Sequence, residues 1–121
     1  MKFIFLASVL TLMACTHEPK KPLNENVVST PNQSGYLKVN GTDIYYEIYG
    51  TGEPLILLHG GGSDMHVSFG KGISSLAKHF KIIAFDEQGH GKSPATSRPF
   101  GFEQTADDLA EALKQMKIEN A

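Results

Sequence analysis

The sequence has little cysteine: Cys15 stands alone, so neither an internal disulfide nor a thiolate cluster can form. It has no long basic stretch, and its formal net charge is −2. The electrostatic footprint of a nucleic-acid binder is therefore missing. Five histidines are present, but His17, His59, His66, His79 and His90 show no zinc-ligand spacing. No metal and no cofactor is expected. The mostly apolar run from Phe3 to Ala14 is too short to cross a bilayer as a helix. What is there is ordinary globular composition, 40% hydrophobic and 20% charged over 121 residues, enough for one small domain at most.

The amino terminus reads as a separate object. Lys2, the run from Phe3 to Ala14 and then Cys15 have the order of a secretory signal peptide. The ending "LMAC" resembles the bacterial lipobox, with Leu12, Ala14 and Cys15 matching. The resemblance implies cleavage before Cys15 and a lipid on its thiol, which makes residues 1–14 a lipoprotein signal peptide. The implied partner is a membrane, held through that lipid. The implied location is outside the cytoplasm, anchored to a bacterial membrane. Thr16 follows the cysteine in place of an aspartate, which favours the outer membrane in a Gram-negative cell. Thr16 to Ser34 is rich in Pro, Asn, Ser and Lys without apolar periodicity. Residues 15–34 are thus expected to be the lipidated cysteine and a flexible tether.

Folding signals begin at Gly35. Asn40-Gly41 suits a tight hairpin turn between strands Tyr36–Val39 and Asp43–Tyr49. Leu55 to Leu58 is uniformly aliphatic, the pattern of a strand buried on both faces, and "KIIAFD" from Lys81 to Asp86 is another. Between them Phe69, Ile73, Leu76, Ala77 and Phe80 mark one face of an amphipathic helix. Phe102, Ala106, Leu109, Ala110 and Leu113 repeat the spacing, with Met116 extending it. Both stripes are expected to be core. Hairpin, strand, helix, strand, helix argues for an α/β fold with a parallel sheet. The sequence stops where the next parallel strand is due.

Two glycine-rich stretches follow the aliphatic strands. "HGGGSD" supplies G-x-G at Gly60 and Gly62, but Met65 stands where a dinucleotide fingerprint needs a third glycine. "DEQGHGKS" ends like a phosphate-binding loop in Gly91-Lys92-Ser93, yet Asp86 occupies its first glycine position and would face a phosphate with negative charge. Two roles are left for this bare backbone after a buried strand: to hold a developing oxyanion, or simply to make the strand-to-helix turn.

His59-Gly60-Gly61-Gly62 resembles the oxyanion-hole loop after the third strand of the α/β-hydrolase superfamily. "DEQGHGKS" resembles the D-x-R-G-x-G-x-S turn after its fourth strand, with Asp86, Gly89, Gly91 and Ser93 matching and Gln88 where arginine is frequent. The resemblance covers residues 35–121 and implies the N-terminal portion of that fold. It implies that Gly61, or Gly62 in a lipase-type loop, offers a backbone N–H to the oxyanion. His59, Gly60, Asp86, Gly89, Gly91 and Ser93 are implied loop-forming residues, with His59 holding its loop through ring hydrogen bonds and His90 a surface turn residue. The superfamily nucleophile stands in G-x-S-x-G. Ser63, Ser68, Ser74 and Ser93 each miss one of the two flanking glycines. The expectation is a partial domain, truncated before the nucleophile elbow, with its C-terminal half and Ser-His-Asp triad elsewhere. Such a chain is expected to be inactive alone, and to act on small-molecule esters, amides or related bonds when completed. The alternative expectation is a non-catalytic lipoprotein using a shortened hydrolase-like domain for binding or assembly.

Overall fold

The computed structural model describes residues 30–121. The expected signal peptide, the lipid site at Cys15 and most of the expected tether lie outside the described residues. Four strands and two helices follow in the order β1 (Gln33–Val39), β2 (Thr42–Tyr49), β3 (Pro54–Leu58), α1 (Met65–Leu76), β4 (Lys81–Asp86) and α2 (Phe102–Gln115). The strands form one sheet in the order β1-β2-β4-β3. β1–β2 and β2–β4 are antiparallel, and β3–β4 is parallel. α1 is the crossover that a parallel β3–β4 pair requires.

Local chemistry accounts for the element boundaries. Asn40 and Gly41 both take positive φ, 45° and 86°, as a two-residue hairpin turn demands. Asp64 caps α1, its Oδ1 accepting from the N–H groups of His66 (2.8 Å) and Val67 (2.9 Å). α2 begins at Gly101 with no side-chain cap, but Glu103 in its first turn complements the helix dipole.

The sheet is covered on both faces. Ile83 and Phe85 of β4 point to the α2 side, with Ile44, Tyr46, Val39 and Ala112. Ile82 and Ala84 point to the α1 side, beside Tyr45, Tyr49, Met65 and Ile73. This two-sided burial is why β4 reads as a continuous apolar run.

Four expectations need correction. β1 takes in Gln33 and Ser34, assigned above to the tether, because their backbones pair with Ile48 and Glu47. β3 is only half-buried and Leu58 is exposed, because β3 pairs with β4 alone among the described residues. The first helical stripe packs as expected at Phe69, Ile73, Leu76 and Ala77, but α1 ends at Leu76 and leaves Phe80 38% exposed. The second stripe packs on the core at Leu109, Leu113 and Met116, as expected, but not at its other three positions. Phe102 is 97% exposed and Ala106 and Ala110 are exposed, while Asp108 and Ala112 are buried. In the first turn of α2 Phe102 faces solvent, while Thr105 is half-buried and donates to Glu87 Oε2 at 3.3 Å. Asp108 takes a buried position because an arginine and an asparagine meet it there, as described below.

Candidate functional site

The carboxyl ends of β3 and β4 lie side by side in the parallel pair, with Leu58 opposite Phe85. The two glycine-rich loops therefore leave the sheet together, at the end where α/β sheets bind ligands.

The β3–α1 loop is organised by His59, which is buried. Its Nε2 accepts the Glu87 backbone N–H at 3.0 Å. That acceptor role places the ring hydrogen on Nδ1, which donates to the Gly60 carbonyl at 2.9 Å. One ring thus ties β3 to the residue after β4 and holds the first glycine peptide. Gly60, Gly61 and Gly62 are all exposed. Among the described residues, an added Cβ on Gly60 or Gly61 would meet nothing within 4 Å, and only Gly62 of the three has positive φ, 73°. A cleft of about 570 Å³ opens over this backbone, walled by Leu58, Gly60, Gly61, Phe100, Phe102 and Thr105 among others.

The turn after β4 is built differently. Asp86 is 1% exposed. Its Oδ2 accepts from the Lys92 N–H at 2.8 Å, closing the turn, and its Oδ1 accepts from the Met65 N–H at 3.0 Å. The second bond was not expected from sequence, and it pins the start of α1 to the end of β4. Ser93 is buried, donates to the Asp86 carbonyl at 2.6 Å and accepts the Tyr45 N–H at 2.8 Å. Gly91 has φ 50°, and a Cβ there would lie 2.1 Å from Asp86 Oδ2. Only glycine fits. Gly89 also has positive φ, 76°.

Two polar networks escaped the sequence reading. Glu47, 3% exposed on β2, accepts from the hydroxyls of Tyr45 and Tyr49 and pairs with Lys92 Nζ (3.3 Å) and His66 Nε2 (3.1 Å). Burial pushes its carboxyl up, but the hydrogen bonds from Tyr49 and Tyr45, with His66 and Lys92 beside it, hold it below the ordinary value. Burial and the Glu47 carboxylate push the Tyr49 hydroxyl up. The hydrogen bond to Tyr45, with Glu47 adding to it, raises the Lys92 ammonium. The available signal was that Tyr45, Glu47 and Tyr49 alternate onto one face of β2. The second network centres on Asp108, 7% exposed. Arg98 grips it through both guanidinium nitrogens at 3.1 and 3.0 Å, and Asn40 Nδ2 adds a bond at 2.9 Å. Arg98 also donates to Gln88 Oε1 at 3.3 Å. No local pattern announces this contact.

Among the described residues, no group of three or more His, Cys, Asp or Glu could hold a metal ion, and no helix is long and apolar enough to cross a membrane.

A mixed sheet with a parallel β3–β4 crossover, followed by these two loops, is the N-terminal part of an α/β-hydrolase fold. The family model described as alpha/beta hydrolase fold matches residues 53–121, and the chain belongs to that family. It is 40% identical over 77 residues to the proline iminopeptidase PfmaB of Pestalotiopsis fici, covering 61% of this chain and 27% of that protein. It is 31% identical over 85 residues to the uncharacterized hydrolase YraK of Bacillus subtilis, covering 69% of this chain and 31% of that one. Among solved structures, the enol-lactonase of Burkholderia xenovorans aligns with a TM-score of 0.67 and 31% identity, over 72% of this chain and 35% of the lactonase. The matched region thus spans about a third of these relatives' lengths or less.

Proposed function

We propose that this chain carries the oxyanion-hole side of a lipid-anchored α/β-fold hydrolase. Gly61 offers its backbone N–H to the oxyanion, and Gly62 is the alternative donor. The enzyme acts on small-molecule esters, amides or related bonds by a Ser-His-Asp type mechanism whose triad lies outside this sequence. Cys15 carries the lipid, residues 1–14 are the export signal, and a bacterial membrane is the site of action, the outer membrane in a Gram-negative cell.

The observation that carries the reading is the exposed Gly60–Gly61 backbone at the cleft. Packing among the described residues does not require glycine at either position, yet the peptide between them is held by His59. A rigid, bare peptide facing a cleft is what a preorganised donor needs. The kinship with hydrolases supports the reaction class. The likeness to a proline iminopeptidase and to an enol-lactonase leaves the bond broad, either amide or ester.

The test is Gly61→Pro in the full-length protein, assayed on p-nitrophenyl esters and amino-acyl anilides alongside a thermal melt. Proline removes the N–H, and loss of one such donor costs on the order of 10²–10³ in rate. A folded variant with near-normal turnover would eliminate Gly61 as the donor and turn attention to Gly62. For the anchor, Cys15→Ser is expected to abolish incorporation of labelled fatty acid. Persistent labelling would refute it.

A further inference from the structure

His90 stands in the β4 turn, and nothing in the chemistry above uses it. Its ring lies between two others. The His59 centroid is 5.0 Å away, tilted by 50°, and that of Phe100 is 5.5 Å away, tilted by 41°. Its own Nδ1 lies 3.0 Å from the Gln88 carbonyl. The three rings form a continuous row from the β4–α2 segment to the β3–α1 loop. Arg98 fixes the far end, gripping Asp108 of α2 two residues before Phe100. His59 is the near end, with its Nδ1 on the Gly60 carbonyl. A trans peptide points its C=O and N–H in opposite directions. The ring that holds the Gly60 carbonyl therefore sets the direction of the Gly61 N–H.

We infer that His90 is a positioning residue for the oxyanion donor: its ring, packed between Phe100 and His59, fixes the plane of His59 and through it the Gly60–Gly61 peptide. This rests on the reading of Gly61 as the donor. Neighbouring aromatic rings prefer tilted or offset contacts and so constrain each other's planes. His59 has no slack of its own, because Nε2 and Nδ1 are both engaged. A change in ring plane strains both bonds at once. Arg98 acts at one remove, by anchoring the segment that carries Phe100.

Two readouts test this. In nitrogen-15 NMR of the chain, His90→Ala is expected to shift the Gly61 amide and weaken the His59 Nδ1–H signal, while His90→Phe preserves both. In the full-length enzyme, His90→Ala is expected to lower kcat about tenfold with KM within about twofold, since small misplacements of catalytic groups cost rate. His90→Phe is expected to restore most of kcat. An unchanged Gly61 amide and unchanged kcat in folded His90→Ala would overturn the inference. So would failure of His90→Phe to rescue, because the Gln88 hydrogen bond and not ring packing would then be the operative contact. If His90→Ala does not fold, Phe100→Ala removes the half-exposed outer ring and gives the same readouts. If the amide responds as expected but full-length Gly61→Pro keeps normal turnover, the donor assignment fails while the ring contact stands.

Discussion

The loops after β3 and β4 are both rich in glycine, and they use it for opposite reasons. In the β4 turn, glycine is demanded from within. Gly91 lies against the Asp86 carboxylate at φ 50°, and every polar atom of Asp86 and Ser93 named above is bonded inside the chain. In the β3–α1 loop, Gly60 and Gly61 border open space, and neither takes positive φ. Nothing among the described residues demands their bareness, and the proposed oxyanion-donor role would use it. One loop is a brace, and the other is an open surface tied to that brace, through Asp86 on Met65 and Glu87 on His59. A shared composition thus hides a division of labour that only neighbouring atoms reveal.

The contrast can be broken by substitution. The largest effect is expected at Gly91→Ala, where the new Cβ would collide with Asp86 at a strained φ. Urea melts of the whole chain are expected to show a loss of about 3 kcal/mol or more. Next is Asp86→Asn. The two carboxylate oxygens each accept a backbone N–H, and an amide turns one acceptor into a donor facing a donor. A loss of about 2 kcal/mol is expected.

Glu47→Gln should follow at about 1–2 kcal/mol near neutral pH. Glu47 is held below its ordinary value of 4.5 in the folded chain, so folding favours its ionised form. Its contribution is full above pH 4.5 and lost as pH falls from there through the lower folded value. Melts of the native chain should therefore weaken with acid over that range more than melts of Glu47→Gln. Parallel acid limbs would show that Glu47 does not carry the effect. The smallest effect belongs to the open loop. Gly61→Ala should change stability by no more than about 0.5 kcal/mol. A loss as large as that at Gly91 would erase the distinction between the loops.

The sequence made the fold legible where structure is local. Asn40-Gly41 sets a two-residue hairpin by its own conformational freedom, and the aliphatic run of β4 announces burial on both faces. Asp86 and Ser93 close their own turn by side-chain to backbone hydrogen bonds, as expected of loop-forming residues. The phase of α2 was legible at Leu109, Leu113 and Met116 but not at its start, where Phe102 faces solvent and Asp108 is buried against Arg98. Nor was the Arg98–Asp108–Asn40 junction, whose partners are brought together by the fold from the hairpin turn and α2, 68 residues apart. Within the candidate site, the glycines stood out in sequence, but His90 between two rings did not. That contact depends on Phe100 arriving from a loop with no periodicity to read.

The most direct measurement follows the loop amides of the full-length protein during titration with a tetrahedral boronate analogue. With Gly61 as the oxyanion donor, its amide proton is expected to move downfield on saturation, while those of Lys92 and Met65, already bonded to Asp86, stay in place. A Gly61 amide that does not respond while the boronate binds would contradict that role.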